Sequence, residues 1–341
     1  MEQRPLFTVV EQVSMVVRDA RESARFLSEH YGIGPWVSVQ FGDNFDGNQN
    51  WIPVEHVVLE GKPIGDYSID CCCCKLDNGI ELELISPKRG DSVFARFLEQ
   101  YGPGIQHLSI NNGDYEESMY RMRSAGFRKG QTATIDRHET CTFIDHRDVF
   151  GCYLELHKRP DTFTYPQVEL HYIPGPGAED LPERKPLFTR LEQVGILVMD
   201  LDRAVSIIEE RYGIGPWRTF RCGAEQDADV VVTGADLDGT PIAAPAARMA
   251  ICDALNVQLK LIEPAAGADV YADCIERYGP MAHHLVIRPT GSYEEACAGI
   301  RAADPAHTQT VTWDGGESLC ADHMAELGTY IEVYRQNTDQ M

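Results

Sequence analysis

Two sets of four polar residues recur along the chain, and their types are those that can bind a divalent cation. They are Gln12, Glu83, His107 and Glu155 in the first set, and Gln193, Lys260, His284 and Glu332 in the second. Three of the four pairs have the same separation along the chain, and the separation of the first pair is slightly longer. One imidazole with three oxygen donors suits a borderline or hard divalent ion and leaves room for water or a chelating substrate. The first set is therefore a candidate metal centre.

These residues belong to a chain that repeats itself. Residues 6–36 read LFTVVEQVSMVVRDARESARFLSEHYGIGPW, and residues 187–217 read LFTRLEQVGILVMDLDRAVSIIEERYGIGPW. The segment YGPGIQH, which ends at His107, returns as YGPMAHH, which ends at His284, and GCYLELHKR returns as GTYIEVYRQ. A repeat of this length indicates two copies of a whole domain rather than the units of a solenoid.

Within each copy, the pattern predicts a βαβββ module that occurs twice. In the first module an alternating apolar stretch, residues 9–17, precedes Asp19 as a helix cap, and the helix ends at the segment GIGP. Three strands follow, and the same order of elements recurs over residues 92–157. The chain is thus predicted to be an α+β protein of four βαβββ modules with cupped mixed sheets. The first and last strands of each module bring the polar residues to the concave faces.

The predicted domains are residues 1–160 and 187–341. Residues 161–186 contain PGPGAEDLPERKP and are rich in proline, glycine and charge, which is typical of a linker. Each domain is long enough to bury its own core.

Charge and composition exclude several classes of partner. A net charge of −23 repels phosphate backbones and anionic lipid, so we expect neither nucleic acid nor membrane as a partner. No apolar run is long enough to span a bilayer, and the first residues do not have the pattern of a secretion signal. Eleven cysteines then indicate free thiols in a reducing cytoplasm. We interpret the run Cys71–Cys74 as part of a buried strand, because the spaced pairs of a zinc site are missing.

The repeated modules and the YGIGPW helix ends resemble the vicinal oxygen chelate superfamily, which includes glyoxalase I, methylmalonyl-CoA epimerase and the extradiol dioxygenases. The resemblance covers nearly the whole chain except the linker. It implies two vicinal-oxygen-chelate domains, with one divalent metal held in a cup by residues at the four strand positions. Gln12, Glu83, His107 and Glu155 fall on those positions, and their types match the set seen in glyoxalase I. Zinc, nickel, cobalt, manganese and iron all remain open.

The second copy departs from this set at Lys260. A protonated lysine has no lone pair to donate and repels a cation at short range. We therefore predict one metal site, in the N-terminal domain, and a second site formed by Gln193, Lys260, His284 and Glu332 that is degenerate and metal-free.

Only one imidazole is present in the first set, whereas oxygenases of this superfamily use two histidines and a carboxylate. We therefore predict a metal-dependent epimerase, racemase or isomerase that moves a proton on a carbon beside a metal-bound carbonyl or enolate of a small molecule. By resemblance to glyoxalase I, Glu155 is the first candidate base, with Glu83 the second. A glyoxalase-type lyase, a ring-cleaving dioxygenase and a non-catalytic binding or resistance protein remain alternatives.

Several further residues are candidates for the pocket. His146, which recurs as His323, is a candidate acid–base group or substrate contact. His56 and Trp51 have no counterpart in the second copy, and with Phe41 they are candidate pocket residues. Trp36 and Trp217 recur in both copies and are predicted to be core aromatics. The protein is expected to be a monomer or a homodimer.

Overall fold

The computed structural model describes residues 4–45, 47, 51–160, 171–173, 175, 177, 183–265 and 269–336. Most of the predicted linker, residues 161–186, lies outside the described residues, so the proposed domain boundaries stay a prediction. No helix in the described ranges is long and apolar enough to cross a membrane.

The N-terminal half contains two successive βαβββ modules, with short strands inserted in the first. The elements of the first module are β1 (Val10–Val16), α1 (Ala20–Phe26) continued by a π-helical turn (Leu27–Tyr31), β2 (Trp36–Gly42), β3 (Trp51–Ile52), β4 (Val54–Leu59), β5 (Lys62–Pro63), β6 (Ser68–Lys75) and β7 (Glu81–Arg89). After α2 (Val93–Tyr101), the second module comprises β8 (Gly104–Ile110), α3 (Tyr115–Ser124), β9 (Lys129–Ile135), β10 (Glu139–Asp145), α4 (Arg147–Phe150) and β11 (Tyr153–Lys158). A short strand, β12 (His171–Ile173), pairs with β2.

The C-terminal half repeats this order, so the predicted architecture of four modules is confirmed. Its elements are β13 (Phe188–Leu197), α5 (Leu201–Ser206) with a π-helical turn (Ile207–Arg211), β14 (Arg218–Gly223), β15 (Val230–Leu237), β16 (Thr240–Pro241), β17 (Ala247–Cys252), β18 (Gln258–Pro264), α6 (Val270–Tyr278), β19 (Met281–Pro289), α7 (Tyr293–Ala302), β20 (Thr308–Trp313), β21 (Gly316–His323) and β22 (Thr329–Gln336).

The first strand of every module lies at the centre of its half. In the N-terminal half the strand order is β2, β6, β7, β1, β8, β11, β10, β9, in which the pairs β1–β7 and β8–β11 are parallel. The inserted strands β3 and β4 pair with β2 and β9 and connect the two edges of the sheet. The C-terminal sheet has the same order, and β15 connects its edges. This topology places β7, β1, β8 and β11 side by side at the concave face of the N-terminal half, which we call the N-terminal cup. The strands β18, β13, β19 and β22 have the same arrangement in the C-terminal cup.

Local sequence signals set the ends of the first helices. The Asp19 side chain accepts hydrogen bonds from the backbone amides of Arg21 and Glu22 and so caps α1. Gly32, with φ of 69°, adopts the left-handed conformation that ends the π-helical turn. Trp36, completely buried, then begins β2 and packs in the core, as predicted for an aromatic present in both copies.

The two halves pack against each other through a pair of equivalent contacts. The Tyr31 hydroxyl lies 2.6 Å from His323 Nε2, and the Tyr212 hydroxyl lies 2.6 Å from His146 Nε2. His146 Nδ1 faces the Ile144 carbonyl at 3.2 Å, so this nitrogen donates and Nε2 accepts from the tyrosine. Both imidazoles are completely buried. Each half therefore contributes a tyrosine from its first module and a histidine from its second.

Acid is expected to weaken these contacts. Burial lowers the pKa of both His146 and His323 from 6.5 to about 4, although Asp145 and Asp148 oppose the shift at His146. His30 adds to the shift at His323. Because both pKa values are lower in the folded state, the unfolded chain binds more protons between about pH 6.5 and 4. The free energy of unfolding should fall through that window, by on the order of 3 kcal/mol per histidine at its acidic end.

Urea unfolding of the wild type and of His146→Gln at pH 7 and pH 4.5 would measure this effect. Glutamine takes up no proton, so the variant should start less stable at pH 7 and lose less stability on acidification. An equal loss in both proteins would contradict the assignment.

Candidate metal centre

The centre of the N-terminal cup is the imidazole of His107. This side chain lies on β8, whose residues are all buried, and its own exposure is 1%. Its Nδ1 lies 2.6 Å from the amide oxygen of Gln106 and so donates a hydrogen bond to it. Its Nε2 has no directed hydrogen bond and lies 3.5 Å from Glu83 Oε2 and 3.4 Å from Glu155 Oε2. The Nε2 atom of this ring therefore points between two carboxylates.

The sheet register shows why these three side chains meet. Glu83 on β7 lies opposite Ser14 of β1, and Ser14 lies opposite His107 of β8. β11 runs parallel to β8, and this pairing brings Glu155 to the other side of the imidazole. The four strands come from both modules of the same half, so this half supplies the whole group.

Gln12 is not brought to this group. Its amide donates to Glu81 Oε1 at 2.5 Å, two residues before the Ser14–Glu83 pair on both strands. Ser14 takes the position beside Glu83, and its hydroxyl donates to Glu83 Oε2 at 2.6 Å. Gln12 and Ser14 lie on the same face because they are two residues apart. Which of the two meets Glu83 depends on the register of the parallel strands β1 and β7. Comparison of the two copies of the sequence does not contain this information.

Sequence reasoning also missed His157, which extends the group. Its Nε2 lies 3.3 Å from Glu155 Oε2 and 3.0 Å from the Ser109 hydroxyl, and its Nδ1 lies 2.7 Å from Glu139 Oε1. Glu139 is buried and also pairs with Arg159. His157 follows Glu155 by two residues on a strand, so both point to the same face, and this spacing was a readable signal.

The pKa values of these groups reflect their mutual contacts. Burial alone would lower the pKa of His107, but Glu155 and Glu83 outweigh it and raise the pKa to about 9. Burial opposes ionisation of Glu155, yet His157 and His107 hold its pKa well below the usual range. For His157, Glu155 and Glu139 overcome burial and raise the pKa to about 10. Without a bound cation, the buried carboxylates are thus neutralised by imidazolium groups.

The residues present fit a divalent cation. Separations of 3.4 and 3.5 Å between the His107 nitrogen and the two carboxylate oxygens match the ~3.4 Å edge of a tetrahedron with bonds of about 2.1 Å. Gln106 fixes the ring tautomer that leaves Nε2 as a ligand, as outer partners of metal-bound histidines do. In the part of the chain that the structure describes, no group of three or more His, Cys, Asp or Glu side chains is already placed so that it could hold a metal ion. His107, Glu83 and Glu155 are the ligands that a cation would draw together.

A small cavity of about 60 Å³ lies over this group. Apolar and aromatic residues, among them Phe41, Phe94 and Phe143, form its walls, with Glu83, His107 and Glu155 at its base. Cys71 also lines it, whereas the adjacent Cys72 points to the opposite face of β6 and packs in the core. All four residues of the run Cys71–Cys74 lie in β6 with free thiols.

Three other predicted pocket residues lie elsewhere. His56 is exposed and lies in an irregular part of β4, with φ of 52°. Trp51 donates its indole N–H to the Gly42 carbonyl and does not line the cavity. His146 is buried between the halves against Tyr212 and Phe127. It therefore packs between the two halves and does not line the cavity, and the acid–base role predicted for it stays a prediction.

The corresponding group in the C-terminal half is different. Glu332 Oε2 lies 3.1 Å from His284 Nε2 and 3.5 Å from Lys260 Nζ, so an ammonium stands where Glu83 stands in the first half. Gly195 replaces Ser14, and the His284 ring occupies the space that a side chain at this position would need. The Gln193 amide donates a hydrogen bond to Gln258, two residues before the Gly195–Lys260 pair on both strands. Gln12 bonds to Glu81 at the equivalent place in the first half.

Comparisons with known proteins agree with this fold. Residues 11–142 match the model of the Glyoxalase/Bleomycin resistance protein/Dioxygenase superfamily. No curated protein sequence matches the chain at a significant level. A mutant of 4-hydroxymandelate synthase from Streptomyces coelicolor is similar in structure, with a TM-score of 0.54 at 13% identity, over 98% of this chain and 94% of that one.

Two further structures are similar to parts or all of the chain. A fusion of a xylose isomerase-like TIM barrel with 4-hydroxyphenylpyruvate dioxygenase has a TM-score of 0.50 at 10% identity, over 100% of this chain and 51% of that one. Methylmalonyl-CoA epimerase from Mycobacterium tuberculosis is 21% identical over 47% of this chain and 93% of that one, with a TM-score of 0.32. The four-module architecture and the likeness to 4-hydroxymandelate synthase show that the chain has the vicinal oxygen chelate fold, and its residues 11–142 are similar to the glyoxalase/bleomycin resistance protein/dioxygenase superfamily.

Proposed function

We propose that the N-terminal cup is the active site of a divalent-metal-dependent epimerase, racemase or isomerase. Its reaction is the removal and return of a proton on a carbon beside the carbonyl of a small molecule. One observation carries this proposal. The buried Nε2 atom of His107 has no hydrogen-bond partner within the described ranges and lies between the carboxylates of Glu83 and Glu155.

His107, Glu83 and Glu155 would hold the cation. When bound, such a cation supplies a Lewis acid that makes the C–H next to a carbonyl more acidic. Gln106 keeps Nδ1 of His107 protonated and so orients the ring. Ser14 orients Glu83 through its hydroxyl, and His157 orients Glu155.

The two carboxylates provide a base for each face of a substrate carbon. Glu83 comes from the first module and Glu155 from the second: β7 lies two strands away from β8 on one side, and β11 is the neighbour of β8 on the other. One Oε2 accepts the proton while the electron pair of the broken C–H bond moves toward the carbonyl oxygen. The other carboxyl group, which enters the step protonated, gives its proton to the opposite face and so inverts the carbon, and the pair leaves the step with the proton on the first group. A one-base isomerisation would need only Glu155.

The apolar walls favour this chemistry because they exclude water from the reacting carbon. Phe94 and Phe143 pack around His107, with ring centroids at 6.0 and 5.0 Å from its own. Low polarity around a carboxylate strengthens its interaction with developing charge. The cavity of about 60 Å³ implies that the reacting part of the substrate is small, or that the walls yield on binding.

An oxygenase is the main alternative, since His157 adds a second imidazole near the cup. Its two nitrogens, however, face Glu139 on one side and Ser109 and Glu155 on the other. An imidazole held in this way is a partner of Glu155 rather than a free ligand. A lyase acting on thiol adducts shares the same proton transfer and is distinguished only by its substrate. A binding protein would show no turnover.

Proton exchange in D₂O tests the proposal. Metal-loaded protein is incubated with small 2-hydroxy ketones and with 2-methyl-branched acyl thioesters, and deuterium at the carbon beside the carbonyl is followed by NMR. We expect exchange that a chelator abolishes and added metal restores, with no uptake of oxygen. Metal-dependent oxygen consumption without exchange would support the oxygenase instead. Ligand binding without either reaction would support the binding protein.

A further inference from the structure

The C-terminal cup, the concave face of β13, β14, β17, β18, β19 and β22, carries a row of residues whose charge differs from that of the first half. In the N-terminal half the row across the sheet is Val37, Cys73, Glu83, Ser14 and His107. In the C-terminal half the row in the same register is Arg218, Ile251, Lys260, Gly195 and His284. An apolar residue and an acid are thus replaced by two bases at equivalent positions. This concentration of positive charge stands in a chain whose net charge is −23.

The cup also encloses a larger cavity, of about 290 Å³ against about 60 Å³ in the first half. This volume is at the lower end of the range for small-molecule pockets. Its walls combine aromatic and aliphatic side chains, notably Trp313, Tyr271, Phe220, Met249 and Val232. A flat apolar body of the size of one aromatic ring suits such walls.

The polar groups of the cavity leave positive charge available. Glu332 is already engaged by Lys260 and His284. The Lys260 ammonium has three donors, and its contact with Glu332 at 3.5 Å is long, so it can bind a second anion. Arg218 is exposed at the edge of the row and, among the residues that the structure describes, makes no ion pair. Two strand spacings of about 4.8 Å separate Arg218 from Lys260, a span that these two long side chains can close around one carboxylate.

We propose that the C-terminal cup is a metal-free binding site for a small aromatic carboxylate. Its carboxylate lies between Lys260 and Arg218, and its ring packs against Trp313 and Tyr271. The ammonium of Lys260 occupies the position that a metal ion would need, so this site binds organic anions and no metal ion. The proposal does not depend on the reaction assigned to the N-terminal cup.

Phenylacetate and its neutral counterpart phenylacetamide are the probes that test this site. In isothermal titration with EDTA present, we expect one phenylacetate per chain and binding of phenylacetamide weaker by about tenfold or more, since a charged hydrogen bond is lost. Arg218→Val, which installs the residue of the first half, should weaken phenylacetate binding by a similar factor. Lys62→Met, which removes an exposed lysine on β5, should leave it unchanged.

Lys260→Met alone would leave Glu332 buried without its cation and could unfold the half. Lys260→Met/Glu332→Gln removes the pair together and should reduce the discrimination between acid and amide to the part that Arg218 alone supplies. His107→Ala should retain phenylacetate binding, which separates this site from the N-terminal cup. Equal affinity for acid and amide, unchanged binding in Arg218→Val, loss of binding in EDTA or no binding at millimolar phenylacetate would each overturn the proposal.

Discussion

Metal-stripped wild-type protein should take up one divalent ion per chain, and His107→Ala should take up none. The imidazole is the one nitrogen ligand of the proposed centre, and its Nε2 points between Glu83 and Glu155. Removing it leaves two carboxylates without a fixed partner in a buried site. We expect a loss of affinity greater than the roughly 10–100-fold that removal of an outer partner costs. Titration calorimetry with Mn²⁺ and Zn²⁺, together with elemental analysis, would measure both the affinity and the stoichiometry.

The duplicated chain supplies the matched control for this experiment. His284→Ala removes the equivalent imidazole of the second half, where the Lys260 ammonium stands at the position of Glu83. It should keep one ion per chain, provided circular dichroism shows that both variants are folded. Two ions per wild-type chain would mean that the C-terminal cup also binds metal. Full metal binding by His107→Ala would show that the centre lies elsewhere.

Glu155→Gln should lower the rate of proton exchange by roughly 10²–10⁴-fold, the range that a positioned acid–base group supplies. The amide preserves shape but cannot take up a proton at Oε2. If Glu83 and Glu155 serve opposite faces, each single variant should stop exchange from one enantiomer and slow racemisation of both. Deuterium incorporation from each pure enantiomer, followed by NMR, separates these two effects.

Glu99→Gln, on the exposed side of α2, is the control for loss of a carboxylate outside the cup. The exchange rate of this variant should equal that of the wild type. Metal content has to be measured in Glu155→Gln as well, because the same residue is a proposed ligand. Wild-type exchange from both enantiomers in a metal-loaded Glu155→Gln protein would remove Glu155 as a base and leave it a ligand only.

The structure changes the candidate site at positions where the sequence repeat does not show which residue takes part. Gln12 and Ser14 both face the cup, and Gln12 recurs as Gln193 whereas Ser14 is replaced by Gly195. Only the pairing of β1 with β7 decides that Ser14 meets Glu83. His146 also recurs as His323, but it recurs because each half uses it to bond a tyrosine of the other half. A residue can therefore be repeated for an interface as readily as for a reaction.

The sequence by itself determined the four modules, the positions of Glu83, His107 and Glu155, and the change to Lys260. These follow from local periodicity and from a comparison of the chain with itself, which need no knowledge of distant contacts. Tertiary structure alone decided the contact of Ser14 with Glu83, the chain of His157 and Glu139 behind Glu155, and the larger C-terminal cavity. Each of these depends on strand register and on the packing of side chains that are far apart in sequence. A register shift of one residue changes the neighbours of every side chain on the strand.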